Sequence, residues 1–268
     1  MALQGAIQSR HNPNVRYVRQ LHKRRARHTE RRYLIEGHRL VDQALLSGIE
    51  PVFAFYTETY AQTPEGTNVV ASLERLPTPT WSASPEAMAH MADTVSPQGI
   101  LAVVPIPPVQ PADCVPKANL IVMLDRLRDP GNVGTIMRTC QATDVDLILL
   151  SKGCADAYSP KVVRSAMGAH FALPILQGLL WRELRPLLAR KRVAVADAAG
   201  SHSLWELDWT GSSVLVVGSE AHGPSQSALE AATDTVRLPM SPGIESLNAA
   251  VAGSVILFEI YRQRHTAE

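Results

Sequence analysis

Hydrophobic and polar positions divide the 268-residue chain into two regimes. Beyond residue 119, short uninterrupted apolar runs alternate with mixed stretches of helical length. Leu120 to Leu124, Leu147 to Leu150, Arg192 to Ala196 and Val214 to Gly218 read as strands. Strands apolar at every position are covered on both faces, as in a parallel sheet with helices on either side. Before residue 105 the pattern is more broken. Val52 to Tyr56 and Ile100 to Val104 read as strands, and Ser84-Pro85-Glu86 opens a helix with proline in its first turn. Glu30 to Ser47 reads as one amphipathic helix, with Tyr33, Leu34, Val41, Ala44 and Leu45 near helical spacing and Gly48 as its stop. Residues 105–116 (PIPPVQPADCVP) hold five of the 19 prolines, which predicts a stiff linker without secondary structure. The expected plan is α/β throughout: a smaller domain over 1–105, a linker over 106–118 and a larger domain over 119–268. A last helix from Ser246 to Arg264 has Ala249, Ala250, Ala252, Gly253 and Ser254 in its first half, small enough for close approach of another backbone or a ligand.

Composition refines this picture through charge. The net charge is only +1, yet ten of the 26 basic residues and two of the 25 acidic ones lie in the first 40 positions. That arm therefore carries +8 and the remainder −7, which points to an anionic partner engaged at one end. With 46% hydrophobic residues the chain can bury real cores, so global disorder is excluded. No run of 18 apolar residues and no signal-peptide pattern is present, and the expectation is a soluble, unexported, cytoplasmic protein without a membrane span. Cys114, Cys140 and Cys154 have no CxxC spacing, so neither a disulfide framework nor a zinc site is expected, and Cys140 and Cys154 are expected to be structural. The nine histidines show no metal-ligand spacing, and no metal is expected.

Three segments carry candidate chemistry. The first, LDRLRDPGNVGTIMRT, sets Asp129-Pro130-Gly131-Asn132 at a strand end and then a helix with Arg138. Strand ends and helix N-termini are where open α/β sheets bind ligands, although an Asp-Pro-Gly turn with Asn132 as N-cap accounts for the spacing as well. In the second, VLVVGSEAHGPS, a strand ends in Gly218, followed by Ser219, Glu220, His222 and Gly223. The third, LPMSPGIESLNAAVAGS, ends an apolar run at Leu238-Pro239-Met240 and opens the last helix with Ser246-Leu247-Asn248. Ser246 suffices as its cap. A polar Asn248 ahead of an apolar helix calls for a specific partner, because a buried unpaired amide costs roughly 1–3 kcal/mol. Lys161 and Arg164, near the start of SPKVVRSAMGAHFALPIL, suit either a phosphate or a solvated face. There is no GxGxxG, no GxxxxGK[ST] and no Gly-x-Ser-x-Gly, so a dehydrogenase, an NTPase and a serine hydrolase lose their main support.

In this order the three segments resemble the SpoU (TrmH-type) branch of the SPOUT superfamily of S-adenosylmethionine-dependent RNA ribose 2′-O-methyltransferases. Asn132 and Arg138 match its DPGN-x-G-x-x-x-R pattern. Gly218, Glu220 and Gly223 match its GxExxG turn, and Ser246, Leu247 and Asn248 its Ser-Leu-Asn. PKVVRSAMGA is similar too, with Ala166 where a Ser or Ala commonly sits. The likeness is close over 119–264 and looser over the N-terminal region, where Tyr33-Leu34-Ile35-Glu36-Gly37 resembles an appended L30e-like RNA-binding module.

The resemblance implies a C-terminal parallel-sheet domain with a deep trefoil knot over about Val214 to Arg264, a homodimer, and S-adenosylmethionine held by backbone groups near Val217, Gly218, Leu238, Met240 and Leu247. It implies structured RNA as substrate, ribosomal rather than transfer RNA, docked on Arg16, Arg19, Lys23, Arg24, Arg25, Arg27, Arg31, Arg32, Lys161 and Arg164. It makes Arg138 the group that activates the 2′-hydroxyl, either as a base or as a charged stabiliser with phosphate or water taking the proton. Asn132 orients Arg138 or the ribose, Glu220 fixes the loop or polarises Asn132, and Ser246 and Asn248 complete the polar wall. A transfer-RNA enzyme and a non-catalytic RNA-binding protein on the same scaffold are the alternatives; the second has no need of these five residues together.

Overall fold

The computed structural model describes residues 4–244 and 246–266, and the chain forms two compact units. The first contains the chain up to Pro107 together with Tyr158–Phe171; the second contains Pro108–Ala157 and the chain from Ala172 onward.

The first unit is built on a mixed sheet of β1 (Gln4–Ile7), β2 (Arg32–Glu36), β3 (Phe53–Tyr56), β4 (Thr80–Ala83) and β5 (Ile100–Pro105), in the order β1-β4-β3-β5-β2. The β1, β4 and β3 strands are parallel, and β5 runs antiparallel to β3 and β2. Helices Pro13–Leu21 and Pro85–Met91 bury Val15, Val18, Leu21, Met88 and Met91 against Leu34, Phe55, Leu101 and Val103. Ser84 caps the second of these helices, accepting from the Ala87 N–H, as its Ser-Pro start predicts.

The single helix expected from Glu30 to Ser47 is instead a strand and a helix. Arg32–Glu36 pairs with β5, and helix His38–Leu46 follows. The break falls at Gly37, whose φ of +96° is left-handed, and a Cβ there would stand 2.6 Å from Gln98 Oε1. Tyr33-Leu34-Ile35 are apolar in succession because the strand is covered on both faces, a pattern that helical spacing imitates over a short window.

Segment 158–171 carries helices Pro160–Ala166 and Ala169–Ala172, the second ending just past the unit's boundary. It is held to the first unit by an aromatic group and an ion cluster. The rings of Tyr33, Tyr158 and His170 meet with centroids 5.0–5.6 Å apart, and burial raises the Tyr33 hydroxyl well above its ordinary pKa. Arg164 Nη1 donates to Asp93 Oδ2 at 2.8 Å, and His22 Nδ1 lies 3.6 Å from Asp93 Oδ1. Burial works to raise the Asp93 carboxyl, but Arg164 and His22 together outweigh it and hold Asp93 below its ordinary value. Gly168 stands between the two at φ +93°.

In the second unit all seven strands are parallel: β6 (Leu120–Leu124), β7 (Leu147–Ser151), β8 (Ile175–Leu179), β9 (Arg192–Ala196), β10 (His202–Ser203), β11 (Ser213–Val217) and β12 (Asp234–Arg237). Their order is β10-β12-β9-β11-β6-β7-β8. The sequence reverses direction beside β6, and ligands in such sheets bind outside the carboxyl ends at that crossover. On one face Ile121, Met123, Leu147, Leu149, Val193, Val195, Val214 and Val216 pack on Trp181, Leu184, Leu188 and Ala228. Residues 105–116 are not free of structure: β5 runs to Pro105, and Pro111–Cys114 forms one helical turn with proline at its start. Among the described residues no helix is long and apolar enough to cross a membrane.

Because Tyr158–Phe171 folds with the first unit, a fragment starting at Pro108 is expected to leave Tyr158, Val162, Val163, Ala166 and Ala169 uncovered. Its binding of a hydrophobic dye should exceed that of the whole chain several-fold, and fluorescence at equal concentration measures it; a fragment as dark as the whole chain would contradict this division.

Candidate active site

Three loops meet at the carboxyl ends of β6, β11 and β12. The β6 loop is fixed first by Asp125. This buried carboxylate accepts from Trp181 Nε1 at 3.0 Å and from the Ser225 N–H at 2.7 Å, while its own N–H donates to the Val217 carbonyl. Both oxygens are satisfied, as a buried charge requires. The chain then enters helix Pro130–Ala142. Asp129, not Asn132, is the N-cap: its side chain accepts from the Asn132 N–H at 2.8 Å. The Asn132 side chain is thereby left for other work.

Its Nδ2 donates to Glu220 Oε1 at 2.6 Å, and its Oδ1 accepts from Asn248 Nδ2 at 3.0 Å. Asn248 is the N-cap of the last helix, Ala249–His265, with its Oδ1 accepting from the N–H groups of Ala250 and Val251. The helix therefore starts three residues later than the sequence suggests and is capped by Asn248; Ser246 is exposed and outside it. The partner expected for Asn248 is Asn132. Helix 249–265 packs on helix 130–142 through a Thr139 to Ser254 hydroxyl contact of 2.9 Å, and a Cβ on Gly253 would sit 3.3 Å from Val217 Cγ2.

Gly218 ends β11 where the chain doubles back. Ser219 and Gly223 exchange both backbone hydrogen bonds, and a Cβ on Gly218 would lie 2.5 Å from the Pro224 nitrogen and 2.6 Å from the Gly223 carbonyl carbon. Those neighbours are backbone and cannot swing away, which explains the first glycine; Gly223 has φ +61°.

Beside this turn lies a cavity of about 260 Å³. Its walls include all five residues expected to hold the cofactor, Val217, Gly218, Leu238, Met240 and Leu247, together with Glu220 and Ser246. They also include Ala196, Asp197 and Ala198 after β9, and Ala249, Ala252 and Ile256 of the last helix, which the motifs do not single out. The only sign of Asp197 in the sequence is its place just beyond an apolar strand. Asp197 and Glu220 are in the lining, and among the described residues no lysine, arginine or histidine is. Asn132, Asn248 and Arg138 are outside the lining. Arg138 is exposed on helix 130–142 and makes no side-chain hydrogen bond or ion pair among the described residues. His222 is exposed. Burial pushes the thiols of Cys140 and Cys154 up, the state of packed rather than reactive cysteines.

The basic arm lies in the first unit. Arg16, Arg19, Lys23, Arg24, Arg25 and Arg31 are exposed, as is Lys161, and Arg32 is half-buried with Nη1 donating to Tyr17 Oη at 2.9 Å. Arg27 departs from its expected role. It is only 3% exposed and donates to the Leu21 and His22 carbonyls at 2.7 and 2.8 Å, closing the C-terminal end of helix Pro13–Leu21. Arg164 is committed to Asp93.

The family model described as SpoU rRNA Methylase matches residues 119–258, and that of an MRM3-like substrate binding domain matches 12–102. The chain belongs to the SpoU rRNA methylase family. Among relatives of this SpoU chain, an uncharacterised tRNA/rRNA methyltransferase of Synechocystis is 36% identical over 275 residues, covering 98% of this chain and 95% of that one. The 23S rRNA guanosine 2′-O-methyltransferase RlmP of Bacillus subtilis is 30% identical over 95% of this chain and 98% of its own. The crystal structure of an AdoMet-bound rRNA methyltransferase from Sinorhizobium meliloti superposes with a TM-score of 0.85 at 28% identity, covering 96% of this chain and 97% of that one.

Two substitutions test this SpoU site. Gly218→Ala forces a Cβ into backbone and should cost about 1–3 kcal/mol, seen as a lowered melting temperature. Asn248→Ala removes a cap worth about 1 kcal/mol, whereas Asn248→Ser should retain most of that stability while losing the link to Asn132. Equal melting temperatures for the alanine and serine variants would show that the cap is not the stabilising element.

Proposed function

We propose that this chain transfers a methyl group from S-adenosylmethionine to a ribose 2′-hydroxyl of ribosomal RNA. One observation carries the reading. Among the described residues, a mostly apolar cavity lined by the carboxylates of Asp197 and Glu220 and by no cationic side chain adjoins the Asn248–Asn132–Glu220 ladder, on whose central helix stands an unpaired arginine, Arg138. Such walls suit a nucleoside that carries positive charge, and they offer a cofactor phosphate no counter-charge. S-Adenosylmethionine fits that description: Val217, Gly218, Leu238, Met240 and Leu247 would hold it, and the carboxylates of Asp197 and Glu220 would offset its positive charge. When bound, it supplies an electrophilic methyl group.

The protein's own task is to orient the ribose and handle one proton. Asn132, held at both ends of its amide, and Asn248 keep the polar wall rigid, so that little reorganisation is needed as charge develops. Glu220 fixes Asn132, and Ser246 adds a hydroxyl at the cavity mouth. Guanidinium groups remain protonated at neutral pH and are poor bases. Arg138 therefore acts as a cation, binding the phosphate beside the target ribose and stabilising its oxygen as the O–H bond breaks, with the proton passing to that phosphate or to water.

Residues 1–105 are the substrate-binding domain on this reading, 106–118 the linker and 119–268 the methyltransferase domain. The exposed cations of the basic arm position the RNA backbone without reading its sequence. Ribosomal RNA is preferred because RlmP is named for it and because residues 12–102 match an MRM3-like substrate binding domain. An L30e-like first unit and a trefoil knot over about Val214 to Arg264 belong to the same reading, supported by the five-stranded mixed sheet and by the return of the last helix onto Val217. So does cytoplasmic action. A homodimer is supported by Val251, Val255 and Phe258, 44–54% exposed along one stripe of the last helix.

Arg138→Ala should reduce methyl transfer to RNA by at least 100-fold while S-adenosylmethionine affinity, read by isothermal titration, stays within about twofold; retained turnover would remove Arg138 from the mechanism. Phe258→Glu should shift the sedimentation coefficient from dimer to monomer, and an unchanged coefficient would argue that this stripe is not the contact.

A further inference from the structure

Arg126 stands just beyond β6 and has no role in the three motifs. Its backbone is left-handed, with φ +55°, a conformation that arginine adopts reluctantly. A hydrogen bond from its N–H to Ser151 Oγ at 2.9 Å, at the carboxyl end of the adjoining β7, pins it there. The side chain runs past Gly153, where a Cβ would stand 3.5 Å from Arg126 Cγ. Its Nε is buried and has no hydrogen-bond partner, and among the described residues no ion pair or hydrogen bond reaches the guanidinium.

A guanidinium nitrogen taken out of water, as the Nε of the half-buried Arg126 is, is normally satisfied by a carboxylate or carbonyl. The carboxylates nearest in the chain are committed: Asp125 to Trp181 and Ser225, and Asp129 to the cap of helix 130–142. Three further cations, Arg128, Arg138 and Lys152, are exposed at the carboxyl ends of β6 and β7 or on the helix that follows β6, and none is paired among the described residues. Backbone strain held by a specific hydrogen bond, with an unsatisfied charge at its end, is the pattern of a prepared ligand contact. Four unneutralised cations in one region suit a polyanion better than a single carboxylate.

We infer that Arg126 binds a backbone phosphate of the RNA substrate, with Arg128 and Lys152 forming the outer part of the same phosphate track. The inference rests on the methyltransferase reading for the identity of the polyanion. Arg126 is absent from the cavity lining, so its contact is with the acceptor RNA rather than with the cofactor. A guanidinium with two free edges can grip a phosphate in bidentate fashion, which lysine cannot.

The test compares the wild-type protein with Arg126→Gly and Arg126→Asn, both of which tolerate the left-handed backbone, and with Arg126→Lys. The probe is an unmodified 23S rRNA transcript, and binding is measured across a salt series. Arg126→Gly should weaken RNA binding about tenfold and lower the slope of log Kd against log salt by about one. Its melting temperature should not fall, and its S-adenosylmethionine affinity should stay within twofold. Arg126→Asn should repeat this, and Arg126→Lys should recover the salt slope but only part of the affinity. Unchanged RNA affinity and slope in the glycine and asparagine variants would overturn the assignment, as would a loss of S-adenosylmethionine binding equal to that of RNA. If the glycine variant melts early, the asparagine variant decides. RNA affinity is read without methyl transfer, so a wild-type protein that binds the transcript but never methylates it refutes the proposed reaction and leaves the result for Arg126 standing.

Discussion

The carboxyl end of the second unit's sheet depends on the two-sided hydrogen bonding of one side-chain amide. Asn132 joins segments 88 and 116 residues away, by donating to Glu220 and accepting from Asn248. A carboxamide presents a donor and an acceptor on the same carbon of one short planar group. An aspartate at this position would face Glu220 with like charge, and a serine would be too short to reach both neighbours. The geometry is available because Asp129 caps the helix and relieves Asn132 of that duty. One local detail, three residues upstream, thus controls how the ends of β6 and β11 and the last helix are joined.

The rest of the unit supports that junction from behind. Asp125 ties the β6 end to Trp181 and to the Ser225 N–H, and Gly218 permits the backbone contact that turns Glu220 toward Asn132. A rigid parallel sheet supplies the base, with residues at its carboxyl ends set by the register of β6, β9 and β11. Preorganisation of this kind is the form of catalysis that a site without an evident strong base can offer. Short polar side chains whose rotamers are held by capping bonds give the junction that rigidity.

Much of this was legible in the sequence. Four of the seven strands of the second unit, β6, β7, β9 and β11, announce themselves as apolar runs, and Arg192–Ala196 is found within the residues read, whereas Asp234–Arg237 and His202–Ser203 are polar and give no such signal. The five residues that motif likeness singles out for a cofactor line one cavity. Other features were beyond reach for definable reasons. Helix and strand periods cannot be told apart across Tyr33-Leu34-Ile35, and only the tight fit of Gly37 against Gln98 reveals the break. Ser246 and Asn248 are equally good caps by local chemistry, and the choice falls to the residue that also meets Asn132. Arg27 is one arginine in a basic run until the helix end it closes is known. Arg126 shows its character only through a backbone angle and a neighbour on β7. The acidic balance of the larger half gave no sign that unpaired cations gather at its functional edge.

The assignment of Tyr158–Phe171 to the first unit bears on the order in which the protein is made. Chains emerge from the ribosome at about 5–20 residues per second, and N-terminal domains commonly fold first. Here Tyr33 awaits ring partners at Tyr158 and His170, and Asp93 awaits Arg164. By the time these arrive, β6 and β7 have already been synthesised. The N-terminal unit therefore cannot reach its final packing as an autonomous early product. Its last contacts must form while the second sheet is itself under construction, a long-range closure that raises contact order and couples the maturation of the two units in time.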